Sequence, residues 1–526
     1  MRRLARRGAF FVGVATLALV SVPARASSTL EFPDNGVGAF SRGGAWLATA
    51  TDPIAGFYNP AALSMQPTSL GVGANLALQK ICFTREGTAT SPATPTPSIS
   101  ATYPTSCNAN SGSPQLVPNL AFTWRVNREL GVGLTVTPPA AYGALAWDDT
   151  APTRNPPFGT QELASGQRYL SRGVKATVLW PTLAAGYSVT DRLHVGAGFV
   201  AGIAILDLSS MSMSQVSPNS LRDDAINDTA SNLKVKDLFV PGFVLSGLFE
   251  ATDNIDLAAW YRWSDPIRAK GDLEVKSSYY DATGKRTARP TISRSDDQVG
   301  EDAASVTLRI PMEARIGARW HMPRRDVTPL EREGHRIDPY PTRDPLRDDL
   351  YDVELDLSWT NTGANQAIEV RFPEDPSHPG QSRIAVANLG FVPANADVLT
   401  GYRDTFGARL GGQYNVLGNR LGIRLGTWME TSATDAEHLT VTGVPAFRAG
   451  VGGGAVFRVG MVDLEAGYQH HFNAGFDNGG NGKLHAVAAL DTSASPNFDY
   501  RSYHAVNGGK VTQSANVFAV GGVVRF

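Results

Sequence analysis

The chain has little cysteine, no surplus of positive charge and no long apolar run beyond its first residues. Its two cysteines, Cys82 and Cys107, form no C-x-x-C motif and have no ligand cluster beside them, which argues against a redox or metal centre. The formal charge is −2, whereas a nucleic-acid binder presents a basic surface. After Ala26 no apolar run is long enough for a membrane-spanning helix. No Pro/Gly/Ser linker divides the 526 residues, so their length does not translate into several soluble domains. The G-x-S-x-G elbow and the G-x-x-x-x-G-K-[ST] phosphate loop are also missing, so neither an enzyme nor a cofactor is expected.

What is present begins with an export leader, residues 1–26. Arg2, Arg3, Arg6 and Arg7 precede the apolar run Phe10 to Val22, and Ala24-Arg25-Ala26 is a small-x-small cleavage site. The run is too short to span a bilayer. Its removal takes away five arginines and no acid, leaving a mature charge of about −7. Export places the cysteines in an oxidising compartment. A Cys82–Cys107 bond is expected there, closing a Pro/Ser/Thr-rich loop and stabilising it by roughly 3 kcal/mol.

Alternation decides the architecture of residues 67–526. In Asp352–Trp359 the residues Asp352, Glu354, Asp356 and Ser358 share one face, and Val353, Leu355, Leu357 and Trp359 the other. Val306 to Trp320 reads as one fifteen-residue strand, with Val306, Leu308 and Ile310 on its lipid face and Arg309, Glu313, Arg315 and Arg319 inward. A bilayer is crossed by about 9–11 strand residues. Five short connections, such as Thr190-Asp191-Arg192 and Leu417-Gly418-Asn419, alternate with long polar loops. That is the pattern of an outer-membrane barrel, with short turns in the periplasm and long loops outside. The count is about fourteen strands, all-β and antiparallel. Met322–Leu350 breaks the rule, being a long, charged, Pro-rich connection at a periplasmic position. A periplasmic partner or disorder are the readings open for it. The last strand ends Val523-Val524-Arg525-Phe526, and its closing aromatic resembles the signal that outer-membrane barrels present to their assembly machinery.

Residues 27–66 do not alternate. Phe32, Phe40, Trp46, Leu47, Ile54, Phe57, Tyr58 and Leu63 make the segment too apolar for a solvated tail. A barrel of this size has an interior to fill, so a plug is expected. Ser41-Arg42-Gly43-Gly44-Ala45, Asp52-Pro53 and Tyr58-Asn59-Pro60-Ala61-Ala62-Leu63 resemble the N-terminal hatch of the FadL-type family of outer-membrane transporters. The resemblance covers nearly the whole mature chain, with departures at the Met322–Leu350 connection and the cysteine-closed loop. It implies passive diffusion of a long-chain fatty acid or aromatic hydrocarbon, gated by the hatch and ending in lateral exit. Phe32, Asp52, Phe57, Tyr58, Asn59 and Pro60 would be its binding and gating residues. Outer-membrane lipids, lipopolysaccharide and the assembly machinery are the other expected partners, nucleic acid is not, and a monomer is expected. The alternative is a barrel that serves as a protein-binding or assembly scaffold and moves no substrate.

Three clusters could carry chemistry. His470-His471 point to opposite faces of a strand, so a metal site is not expected. Asp477-Asn-Gly-Gly-Asn-Gly482 lacks the bidentate Glu of a calcium loop. The lumen charges are stronger: Arg309, Arg315, Arg319, Asp352, Glu354, Asp356, Arg409, Arg420 and Arg424 are read as inward on neighbouring strands. Pairing among themselves and with the plug is the favoured reading. The functional version has one arginine meeting a substrate carboxylate.

Overall fold

The computed structural model describes residues 35–89, 101–138, 143–154, 160–212, 228–280, 286–288, 292–293, 303–324, 342–386, 390–487 and 501–526. The expected leader and Phe32 lie outside the described residues.

Fourteen antiparallel wall strands close into a barrel. They are β1 Ser69–Arg85, β2 Gln115–Arg125, β3 Leu130–Thr137 with an outer piece Gly143–Ala146, β4 Gly173–Ser188, β5 Leu193–Ser212 and β6 Thr229–Thr252. Then come β7 Ile255–Ser264 continued by Ile267–Tyr280, β8 Ala304–Leu308 continued by Glu313–Pro323, and β9 Asp349–Thr360. The last five are β10 Thr405–Leu417, β11 Leu421–Glu430, β12 Arg448–Val459, β13 Val462–Asn473 and β14 Gly509–Arg525. Closure is by β1 against β14, in register from Ser69 opposite Arg525 to Arg85 opposite Gly509. A closed sheet leaves no unpaired edge for lipid to solvate, which is why strands can cross a bilayer at all.

Burial follows the pleat. On β9 Asp352, Glu354 and Asp356 are buried while Val353, Leu355 and Leu357 are exposed on the outer surface. This inverts the pattern of a water-soluble protein and suits a wall between lipid and a filled lumen. The cysteines lie opposite each other in register and are bonded.

Val306 to Trp320 is not one continuous strand. The wall is interrupted between Leu308 and Glu313, around Pro311, which has no N–H for the ladder. The even-to-odd phase changes there. Val306, Leu308 and Ile310 point inward and are buried, whereas Arg309 is exposed. Glu313, Arg315 and Arg319 return to the inside. Arg309 is therefore not a lumen charge. Nor is Arg420, which sits exposed in the β10–β11 turn.

The described end of the long Met322–Leu350 connection folds against the barrel mouth. Arg343 donates its backbone N–H to Met65 O and its Nη1 to Ala48 O. Asp344 pairs with Arg458 at 2.5 Å, and that neighbour holds its carboxyl below the usual range. Asn415 Nδ2 donates to Pro345 O at 2.7 Å.

Candidate functional site

Asn35–Gln66 lies inside the barrel and is buried along almost its whole length. It holds two one-turn helices, Val37–Phe40 and Ala55–Tyr58, and a 3-10 helix, Pro60–Met65, whose first residue is the proline a helix start tolerates. Strand glycines make room for it. A Cβ on Gly131, Gly186 or Gly196 would lie 2.0–2.2 Å from backbone atoms of Pro60, Ala61 or Leu63. The turn at Arg42 rests the same way on Gly411 and Gly426.

The lumen charges hold this segment. Asp356 Oδ2 accepts the backbone N–H groups of Trp46 and Leu47 at 3.0 and 3.1 Å. Glu354 accepts those of Ala48 and Thr49 at 2.6 and 3.1 Å. Arg42 pairs with Asp352 at 2.5 Å. Trp46 lies between two guanidinium groups, Arg42 and Arg424, each 5.5 Å from the ring centroid. A buried run of backbone donors needs acceptors, and β9 supplies them as fixed carboxylates.

The remaining inward arginines are also matched. Arg319 meets Asp256, Asp349 and Asp352 at 3.1, 2.5 and 3.2 Å. Arg315 pairs with Glu313 at 2.5 Å, Arg409 with Glu430 at 2.8 Å and Arg424 with Glu465 at 2.6 Å. None of these four is left over for a substrate carboxylate.

Within the plug, Asn59 Nδ2 donates to Leu47 O at 2.7 Å and ties its two halves together. Phe57 O accepts from Trp260 Nε1 at 3.0 Å, and Tyr58 stands edge-on to Phe57 with centroids 5.0 Å apart. Asp52 accepts a longer bond from Trp46 Nε1 at 3.4 Å. Burial, reinforced by the Glu465 carboxylate, pushes the Asp52 carboxyl up to about 7.

The outer half of the lumen is different. It encloses a cavity of about 510 Å³, within the range that holds small-molecule ligands. Leu206, Leu208, Leu233, Leu273, Val306 and Leu308 form one bank. The opposite bank carries His438, Arg448, His471 and Lys483. Asp52, Phe57, Tyr58, Asn59 and Pro60 do not line it. The lining leucines were missed because the lumen face was read as polar. Their signal is apolar residues on the inner phase near the outer strand ends, as in Leu206-Asp207-Leu208.

The cavity reaches a break in the wall. Gln115, Gly143 and Ala144 line it, and they flank the interruption of β3 after Thr137. Among the described residues, Gln115–Asn119 of β2 pair with β1 and have no β3 partner. A side chain takes the place of the ladder there: Gln115 donates to Ala144 O at 2.5 Å and accepts from Ala144 N at 3.2 Å. At the inner rim Asn35 Nδ2 donates to Pro138 O at 3.0 Å, joining the plug to the edge of the break.

Residues 18–326 match the profile of a family described as outer membrane protein transport protein (OMPP1/FadL/TodX). Among solved structures, a Pseudomonas aeruginosa FadL homologue is similar with a TM-score of 0.64 at 15% identity, covering 95% of this chain and 100% of that one. The Ralstonia pickettii toluene transporter TbuX gives 0.54 at 16% identity, with 94% and 99% coverage. The Pseudomonas putida toluene transporter TodX gives 0.55 at 13%, with 95% and 100% coverage. At such identities the structures show a shared fold. No curated protein sequence matches the chain.

Proposed function

We propose a transport route on the premise that this chain belongs to the OMPP1/FadL/TodX family of outer-membrane transport proteins, whose profile matches more than half of it. The chain is a bacterial outer-membrane barrel that carries hydrophobic compounds. Long-chain fatty acids are the substrate class we favour over aromatic hydrocarbons. The observation that carries this is the two-sided cavity, with an aliphatic bank facing Arg448, His438 and Lys483. An acyl chain gains roughly 0.8 kcal/mol per buried CH₂ on the first bank, and its carboxylate meets a polar second bank, where Arg448, Lys483 and His438 already pair with Glu430, Glu437 and Asp435.

Substrate enters beneath the outer loops, collects in the cavity and leaves sideways between β2 and β3. Gln115 closes that break, and Asn35 couples it to the plug, which acts as a hatch. Lateral release into lipid returns the chain to hydrocarbon, so no energy source is required. The test is uptake by proteoliposomes of labelled oleate, an aromatic hydrocarbon and a sugar. Oleate is expected to enter fastest and the sugar not at all. Equal entry of all three would mean a wet pore and overturn the proposal.

A further inference from the structure

The break between β2 and β3 is a window, with wall on both its inner and its outer side. Among the described residues, 115–119 of β2 and 177–179 of β4 have no ladder partner across it. Pairing resumes on the inner side with Leu120 opposite Val136 and Trp180 opposite Thr137. On the outer side the wall is completed by a short run that belongs to neither strand, residues 106–110.

This run is inserted like a strand between β1 and the outer piece Gly143–Ala146. Toward β1, Ser106 lies opposite Phe83 and Cys107 opposite Cys82, and the disulfide joins the second pair. Asn108, which is buried, extends the contact by donating its backbone N–H to Ile81 O at 3.0 Å. Its side chain accepts from Ile81 N at 2.8 Å and donates to Gln79 O at 3.1 Å. Toward the outer piece, Ala109 N donates to Ala146 O at 2.7 Å. Asn110 Nδ2 donates to Ala144 O at 2.6 Å, and Asn110 Oδ1 accepts from Ala146 N at 3.2 Å. Asn108 Nδ2 also donates to Asn110 Oδ1 at 3.0 Å, so the two asparagines are linked. Ala144 O is the same atom that Gln115 Nε2 holds at the break. The outer border of the window thus hangs from β1 through a covalent bond and a chain of amides.

We propose that residues 106–110, pinned by the Cys82–Cys107 bond, form a lintel that fixes the width of this window, with Asn110 as the positioning residue that sets how bulky a molecule leaves through it. The inference rests on lateral exit as the transport route. A strand end without a ladder partner needs other groups for its amides, and Asn108 and Asn110 supply them. A free loop makes such bonds only against the entropy of ordering it, and a cross-link lowers that cost by restricting the loop beforehand. A slim acyl chain passes a window of fixed width, whereas a fused-ring sterol needs the border to give way. The window therefore selects by cross-section. Apolar packing in the cavity discriminates by size only weakly, so the border adds a selection that the cavity lacks.

The experiment compares the parent protein with Asn110→Ala, with Cys82→Ser/Cys107→Ser and with Thr105→Ala, a control in the same loop whose hydroxyl meets Thr84. Host cells lacking their own fatty acid transporter are given labelled oleate and a labelled sterol, and a heat-modifiability gel checks folding. The ratio of sterol to oleate uptake should rise roughly fivefold in Asn110→Ala and in the cysteine variant, and keep the parent value in Thr105→Ala. Hydrogen exchange on the purified parent, with and without a phosphine reductant, gives a readout that needs no substrate. Exchange in Gly143–Ala146 should speed up on reduction while the β2–β3 pairing on the inner side stays protected. The proposal fails if reduction loosens only residues 82–107, or if Asn110→Ala leaves the sterol-to-oleate ratio unchanged. The exchange comparison on the parent decides the matter even where the cysteine variant does not fold. Failure of the transport reading shows differently: the parent would then take up no more oleate than cells without it, and exchange would still decide the lintel.

Discussion

The inner and outer halves of the lumen are built from the same strands and behave as opposites. The inner half is full, with carboxylates of β9 gripping the amides of Trp46 to Thr49 and arginines neutralised pair by pair. The outer half is open and has an aliphatic bank. The difference teaches that inward charge here marks where the barrel holds itself shut, and inward leucine marks where it can hold something else. Buried pairs with complete hydrogen bonding fix a geometry, whereas an apolar cavity binds whatever fits it.

The strongest way to break the comparison is to empty the full half. Glu354→Gln with Asp356→Asn leaves volume unchanged but removes the charges that accept four backbone donors. The plug's seating should weaken by about 1–3 kcal/mol, since the neutral amide oxygens accept the four donors more weakly than carboxylates do, while Arg42 keeps Asp352. Single-channel recording should show a large conductance, and protease added to the inside should cut the released segment. A silent, protected variant would contradict the assignment of these carboxylates as the grip.

Asn59→Ala removes one bond within the plug, to Leu47 O, and should cost about 1–3 kcal/mol. Oleate uptake is expected to fall while the heat-modifiability gel stays that of a folded barrel. Leu206→Arg tests the other half. It places charge on the aliphatic bank, and uptake should drop roughly tenfold with conductance unchanged. A variant with normal uptake would move the substrate route out of this cavity.

A further effect is one of pH. The seated Asp52 keeps its proton up to about pH 7, and a released, solvated Asp52 gives it up near pH 4. Between those values the seated form holds more protons, so seating is strongest in acid and weakens as pH rises. The slope is at most about 1.4 kcal/mol per pH unit for one proton. Protease protection of the parent protein should therefore decline from pH 4 to 7, and Asp52→Asn should flatten the curve.

Much of this division was legible in the sequence. Asp352–Trp359 alternates without interruption, so its pleat fixed which residues meet the lumen, and the apolar, non-alternating stretch before β1 indicated a filling. The outer half was harder to read. Alternation gives two faces but not which face looks inward, and in Val306 to Ile310 the interruption at Pro311 exchanged them, sending Arg309 out and the aliphatic residues in. The break in β3 was equally hidden, because a missing ladder partner is a property of two strands and neither sequence alone records it.

The grip on the plug also sets an order of events. Trp46 and Asp356 are 310 residues apart, as are other pairs across this contact to within a few positions. The first part of the mature chain to be exported thus has to wait for strands made much later before its amides find acceptors. Contacts of such sequence separation form slowly. The barrel closes only when β14, the last strand, meets β1. A plug seated before that moment is wrapped by the wall; one still loose afterward must thread into a finished ring. With contacts this far apart in sequence, the order of assembly joins affinity among the factors expected to set how often the plug ends up seated.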